Sequence, residues 1–578
     1  MAESILEVVL GTLNKFIQDE LGLFLGVNQE MNRLSSTLST IWAVLEDAEE
    51  KQLTDKAIRN WLQKLKDAAY ILDDILDECA TEGLRFQYRR KNCRSTNKVR
   101  HSSLSSFHPM IVLFRYKIAR KMKKTRVLLD AIADEKRKFH LCEAVTQRKT
   151  EVMEWRQTGS IITQPQVYGR EEDKKRIVDF LVGQASGFDD VSVYPIVGIG
   201  GLGKTTLLKI WVCVSQNFDV KRMLKAIMES ATGHSCESLD LDPLQRKLQE
   251  TLQGKKYLIV LDDVWNDDQE KWDRLKYVLS CGSRGSSILV TTRIAKVASI
   301  VGTQPSHQLY GLSIDECWKL FRQRAFGPDR EAHAQLADIG KEIVKKCGGV
   351  PLAAKALGGL LCFTREESEW LYVKDSKLWG LPQDENSILA TLRLSYWNLP
   401  FKARPCFAYC AIFPKGKEIN KRLLIQLWLA NGFITPCGKM DVEDVGNEVW
   451  KELYWRSFFQ DIQTDEFGMT TSFKMHDLVH DLAQSIMREE CHILDNISSN
   501  DLHGNTRHLS APIYRLKRSH FGLSDIPKSL RSSLHVSNAV SSVSLLMKTT
   551  SLRAIHESGS ETVTELPSSI GNLKHLRS

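Results

Sequence analysis

Over the first 140 residues the apolar positions recur at steps of three and four, the spacing of a helix with one buried face. Ile5, Leu6, Val9, Leu10, Leu13, Phe16, Ile17 and Leu21 form a first stripe, and a second periodic run covers Met31 to Leu45. The third is the most regular: Ile58, Trp61, Leu62, Leu65, Ala69, Leu72 and Leu76, with Thr54 placed as its N-cap and Asp73, Asp74 and Asp77 on the opposite face. A fourth run, from about Arg115 to Phe139, brings Ile118, Met122, Leu128, Leu129 and Ile132 together. Four such helices predict an N-terminal bundle. The pattern then changes to short continuous apolar runs, Val193–Val197, Lys256–Asp263 and Ser286–Arg293, which read as buried parallel strands. Beyond residue 305 helical spacing returns, in Cys347–Leu361, Cys406–Pro414, Leu424–Ile434 and Met475–Ala483. From about residue 505 the leucines become regularly spaced, and the closing TELPSSIGNLKHLRS reads as part of one leucine-rich repeat.

Composition narrows this little. The chain has 578 residues, 42% hydrophobic and 26% charged, which suits several globular domains. No apolar run approaches the roughly 18 residues that span a bilayer. Glu3 stands where a secretory signal carries basic charge, so the expected location is cytoplasmic. Thirteen scattered cysteines, among them Cys213, Cys236, Cys281 and Cys347, suit reduced thiols, and Cys406 with Cys410 reads as core. Charge does change the picture. From Gly83 to Leu129 there are fourteen Lys and Arg and no Asp or Glu, against a net charge of only +8 for the whole chain. Such a block suits nucleic acid, anionic membrane or simply solvated helix faces around a Ser-rich linker, and sparse aromatics favour the last.

Candidate chemistry begins at Gly198. The run GIGGLGKTT places Gly198, Gly200, Gly201 and Gly203 after a strand and directly before Lys204, Thr205 and Thr206. Glycines let backbone N–H groups close on phosphate oxygens, the lysine adds a point charge, and Thr205 offers a hydroxyl to Mg²⁺. Asp262 and Asp263 end the second strand, as one carboxylate for the Mg²⁺ shell and one for an attacking water. Arg293 ends the third, where a guanidinium can sense a γ-phosphate. His476 opens a helix, and by itself reads as a cap or core residue.

Taken together the motifs resemble a plant intracellular immune receptor of the coiled-coil nucleotide-binding leucine-rich-repeat class. The resemblance rests on DDILD at Asp73–Asp77, Gly169-Arg170, the glycine loop, LDDVW at Leu261–Trp265, Thr291–Arg293, GVPL at Gly349–Leu352 and MHD at Met475–Asp477. It implies a multidomain fold: an N-terminal four-helix bundle (1–145), a linker (146–165), an α/β P-loop nucleotide-binding domain (166–305), a helical subdomain (306–385), a winged-helix subdomain (386–490) and the start of a leucine-rich-repeat solenoid (491–578). It implies ADP or ATP with Mg²⁺ as cofactors, held by Gly169, Arg170, the loop glycines, Lys204, Thr205, Thr206 and Asp262. Asp263 would position the hydrolytic water for at most slow ATP hydrolysis, Arg293 would sense the γ-phosphate, Pro351 would line the adenine pocket and His476 would touch the β-phosphate of ADP. Asp73, Asp74 and Asp77 would dock onto the leucine-rich repeats. Implied partners are a pathogen effector or guarded host protein, further copies of the chain on activation, and a membrane for the N-terminal helix. The mechanism implied is a switch between a closed ADP state and an open, oligomerising ATP state.

Two departures qualify this. Only Leu207, Leu208 and Lys209 separate Thr206 from IWVCVS, whereas a parallel crossover needs about ten to twelve residues. The expectation is that the helix after the glycine loop absorbs Ile210–Val214, that the sheet loses an edge strand, and that phosphate binding weakens. The chain also stops inside an early repeat, which leaves recognition and autoinhibition by the repeats in doubt. Two other readings stay open: a nucleotide-independent adaptor or decoy acting through the N-terminal helices, and a DNA-binding regulator. Asp441, Glu443 and Asp444, beside the region that would meet a phosphate backbone, argue against nucleic acid.

Overall fold

The computed structural model of the chain describes residues 2–18, 28–52, 55–95, 109–139, 141, 168–183, 191–204, 212–213, 220–232, 240–327, 334–362, 364–376, 379, 387–436, 440–493, 505–510, 527–534, 549, 551–556 and 573–577. The N-terminal helices follow the predicted stripes: α1 (Ala2–Gln18), α2 (Asn28–Trp42), a short α3 (Leu45–Lys51), the 40-residue α4 (Lys56–Ser95) and α5 (Pro109–Glu135). Ile5, Leu6, Val9 and Leu13 of α1 are buried against Leu34, Leu38, Leu62, Leu65 and Ile132 in one apolar cluster. The apolar stripe of α1 is thus turned inward, as in a bundle helix. Thr54 lies outside the described residues; the cap on α4 comes from Asp55, whose Oδ1 accepts from the Ala57 N–H at 2.7 Å. Trp61 fixes α4 to α5 by donating to the Ile132 carbonyl at 2.8 Å.

After α6 (Glu171–Gly183) comes a five-stranded sheet of β1 (Ser192–Val197), β2 (Val212–Cys213), β3 (Leu258–Asp262), β4 (Ser287–Thr292) and β5 (His307–Gln308), in spatial order β2-β3-β4-β1-β5. All its pairings are parallel, and β4 is buried at every position, as its continuous apolar run requires. The edge strand is retained, contrary to the expectation that a helix absorbs Ile210–Val214. Lys204 already has helical geometry, yet Val212 and Cys213 pair with Leu261 and Asp262. The reason is geometric. Val212 and Cys213 pair with Leu261 and Asp262 at the carboxyl edge of the sheet, the edge at which β1 also ends. Three strand spacings are about 14 Å, within the reach of seven residues at roughly 3.3 Å each.

The next domain is helical, with Ile314–Phe326 packed on Pro351–Leu361 through the close approach of Gly358, where an added Cβ would stand 2.7 Å from the Phe321 carbonyl oxygen. A winged-helix unit follows. Helices Lys421–Asn431, Val442–Trp455 and Asp477–Met487 pack with an antiparallel sheet of β6 (Ile419–Asn420), β7 (Phe459–Thr464) and β8 (Thr470–Met475), ordered β6-β8-β7. Cys406 and Cys410 are buried free thiols in this core, as expected. Last comes a parallel sheet of single short rungs, β9 (Cys491–Ile493), β10 (His508–Ser510), β11 (Ser532–Leu534) and β12 (Ala554–His556), stacked in chain order. Among the described residues no helix is long and apolar enough to cross a membrane.

Candidate nucleotide site and its interdomain contacts

The carboxyl edges of β1, β3 and β4 bring the predicted residues together. The glycine loop leaves β1 with Gly201 and Gly203 at φ of 78° and 87°, a region that side chains resist. An added Cβ on Gly200 would stand 2.7 Å from Leu478 of the winged helix, and one on Gly201 3.2 Å from Leu352 of the helical domain. The loop thus fits closely beneath both following domains. Lys204 is buried, and its Nζ donates to the carbonyls of Gly198 at 2.6 Å and Ile199 at 2.9 Å. Burial and the nearby Arg293 push its pKa down to about 8. Thr205 and Thr206 lie outside the described residues.

Asp262 is buried at the end of β3, where its Oδ1 accepts from the Thr291 hydroxyl. Asp263 follows with φ of 55°, an unusual backbone for a non-glycine, held by a 2.8 Å bond from its N–H to Thr291 Oγ1. Arg293 grips the Asp263 carboxylate with Nε at 3.1 Å and a terminal nitrogen at 3.0 Å, and Trp265 Nε1 donates to the same carboxylate at 3.0 Å. Burial alone would raise Asp263, but Arg293 and Trp265 outweigh it and hold the carboxyl below its usual range. The same Arg293 reaches Asp477 of the winged helix at 3.4 Å. Burial and the facing Asp263 carboxylate raise Asp477 to about 6.

His476 caps the helix Asp477–Met487, its Nδ1 accepting from the Leu478 N–H at 3.2 Å, so its proton sits on Nε2. Burial, Arg293 and Lys204 depress its pKa to about 4. Lys204 and Arg293 thus set positive potential around one loop and neutral His476 adds an N–H, a donor set that suits a polyphosphate. The Arg170 guanidinium donates to the carbonyls of Leu202 and Tyr310, each at 2.9 Å, and to Asp173 at 3.0 Å, so it ties the loop to the segment after β5. Gly169 has φ of 63° and Glu316 Cγ 2.9 Å from where a Cβ would be. Pro351 starts its helix, and the next N–H, of Leu352, donates to the Gly201 carbonyl at 3.4 Å. Three residues that complete the site were absent from the predicted set. Trp265 and Asp477 stand inside the LDDVW and MHD motifs, and Thr291 opens the segment ending in Arg293, so the signal for each was present.

The acidic face of α4 meets basic side chains of the C-terminal sheet. Arg531 reaches Asp73 at 2.7 Å and also Asp74, Arg553 reaches Asp73 at 3.0 Å, and His575 and Arg577 close on Asp77. Arg507 adds Asp67 at 2.6 Å, and its guanidinium lies 3.9 Å from the centre of the Tyr70 ring. Arg507, Arg531 and Arg553 each precede a rung, so a spacing of 24 and then 22 residues in the sequence becomes a ladder against one helix face.

The disease resistance protein winged helix domain model matches residues 412–483, the NB-ARC domain model 170–331 and the Rx N-terminal domain model 5–108. Over its full length the chain is 48% identical to the putative disease resistance protein RGA1 and to the disease resistance protein RGA2 of Solanum bulbocastanum, covering 56% and 57% of them. It is 37% identical to a putative disease resistance RPP13-like protein of Arabidopsis thaliana over 78% of the chain and 44% of that protein. The chain therefore spans about half the length of these curated relatives. A signal transduction ATPase from Pyrococcus horikoshii with a tetratricopeptide repeat sensor aligns with 55% of the chain and 42% of its own, at 16% identity and a TM-score of 0.35.

Proposed function

The chain belongs to the plant disease resistance proteins that join an Rx N-terminal domain, an NB-ARC domain and a winged helix, and from this membership we propose an intracellular immune receptor that switches with bound nucleotide. The observation that carries the reading is Arg293, which bonds at once to Asp263 of the nucleotide domain and Asp477 of the winged helix, beside the glycine loop. A guanidinium so divided favours one domain arrangement, and a ligand that draws it toward phosphate favours another. A bound nucleotide would supply the phosphate charge. Lys204 and the glycine-loop N–H groups would hold that charge, Thr205 and Asp262 would hold its Mg²⁺, and neutral His476 would offer an Nε2–H. Asp263, paired with Arg293 and Trp265, is a poor base here, which suits at most slow hydrolysis.

The rungs β9 to β12 are the start of a leucine-rich-repeat array whose first arginines lock onto α4. The doubt over autoinhibition is answered in this reading by the first rungs alone. Perception of a pathogen effector or guarded host protein would release these contacts in the cytoplasm and permit oligomerisation. The test is the nucleotide content of purified chain after gel filtration. Bound ADP is expected, with loss in Lys204→Ala together with loss of cell-death signalling. If neither variant nor parent holds nucleotide and both signal alike, the adaptor reading replaces the switch.

A further inference from the structure

Helix α5 has two faces. Ile118, Met122, Thr125, Leu129 and Ile132 are buried on one. On the other, Leu113 is 69% exposed, Tyr116 67% and Val127 60%, and Leu128, which the sequence pattern placed inside, is exposed as well. Between them stand Arg120, Lys123 and Lys124, exposed and in no ion pair among the described residues. At 100° per residue, Leu113, Tyr116, Arg120, Lys123, Lys124 and Val127 fall within an arc of about 100°, over roughly 21 Å of helix. Between residues 113 and 127 this face carries no acidic residue, and the exposed Asp134 follows on the same side about two turns further on. Glu78 and Glu30 approach the flanks of α5, where Lys121 and Arg126 engage them.

We propose that this face of α5 is a docking surface for an anionic lipid bilayer, with the helix lying along the headgroups. Charge complementarity selects the occupant. Three exposed cations with no acid among them between residues 113 and 127, inside a stretch of fourteen Lys and Arg, suit anionic headgroups. The aliphatic residues at both ends of the stripe separate a bilayer from nucleic acid: Leu113, Val127 and Leu128 gain by entering the acyl boundary and gain nothing against a phosphate backbone, while Tyr116 is a lone aromatic where base stacking needs several. The surface is available with the receptor closed, because the faces of α5 that meet α2 and α4 are the buried ones. The inward-facing stripe of α1 is not required.

The test is co-sedimentation of the full chain with vesicles of phosphatidylcholine alone or with phosphatidylserine added. Binding is expected only with phosphatidylserine and should fall as salt rises. R120E/K123E/K124E should weaken it about a hundredfold, since each cation near the surface contributes roughly fivefold. L113S/Y116S/V127S keeps every charge and should weaken it at least tenfold, with an unchanged melting temperature because all three positions are exposed. Lys15→Glu, on the exposed face of α1, should bind as the parent does. Vesicle binding by neither parent nor variants overturns the proposal, as does equal binding by all of them. Loss of RNA or duplex DNA binding in the charge-reversed variant, with vesicle binding unmoved, assigns the face to nucleic acid and overturns it too.

Discussion

Arg293 carries two contacts of unequal strength. Its bidentate pair with Asp263 is largely buried, whereas the reach to Asp477 is longer and the Asp477 side chain is 30% exposed. Asp263→Ala leaves a guanidinium without its main acceptor and should destabilise the closed arrangement by about 2 to 3 kcal/mol. Asp477→Ala removes a screened contact worth about 1 kcal/mol, a fivefold shift toward the open form. Hydrogen exchange across Asp477–Met487 should rise in both variants and more in Asp263→Ala. Equal protection in the two would remove Arg293 from the latch. The residue types at this site were legible because each belongs to a short motif. Their pairing was not, since Asp263 and Arg293 lie on different strands and Asp477 in another domain.

At the scale of elements, α4 has the clearest logic. One face fills the bundle core and the other presents Asp67, Asp73, Asp74 and Asp77 to arginines from successive rungs. Burial alone would raise Asp77, but His575, Arg577 and Arg553 outweigh it and set its pKa at about 2 against an ordinary 3.8. A depressed carboxyl binds fewer protons folded than unfolded between those values. Its contribution, about 2 kcal/mol, is therefore complete above pH 4 and lost as pH falls toward 2. Acid titration of the docked helix, followed by protease access to α4, should show this loss, and Asp77→Asn should remove it. Asp73→Arg should undock α4 at neutral pH, and combining it with Arg531→Asp should restore part of the protection. No restoration would mean that the ladder is not the contact that holds α4.

The whole molecule is held closed at more than one place. Arg404 is buried beside α1 and α3, with Glu3 Oε2 at 2.9 Å and Glu49 Oε2 at 3.9 Å, and its guanidinium carbon is 4.7 Å from the centre of the Phe401 ring. Lys66 meets Glu490 in a second buried pair between α4 and the end of the winged-helix unit. Breaking such a pair leaves charge without a partner away from water, so Arg404→Ala should cost about 3 to 5 kcal/mol and expose α1 to hydrogen exchange. The triple variant E3Q/E49Q/R404M removes the stranded charges and should recover much of that loss. If both variants protect α1 equally well, the cluster does not hold the helix down.

By itself the sequence determined which segments are helices or strands, which loop is shaped for phosphate and which family the motifs resemble. Each of these is set by local periodicity or by residues a few positions apart. The tertiary structure alone decided the rest. It kept Val212 and Cys213 as a final rung because that rung lies at the carboxyl edge, within reach of a short connection. It turned the apolar stripe of α1 inward and left Leu113, Tyr116, Val127 and Leu128 of α5 facing out, because the partners covering α1 include residues some 400 positions away. It joined Arg293 to two aspartates by stacking three domains over one sheet edge, a juxtaposition for which no spacing along the chain carries a signal.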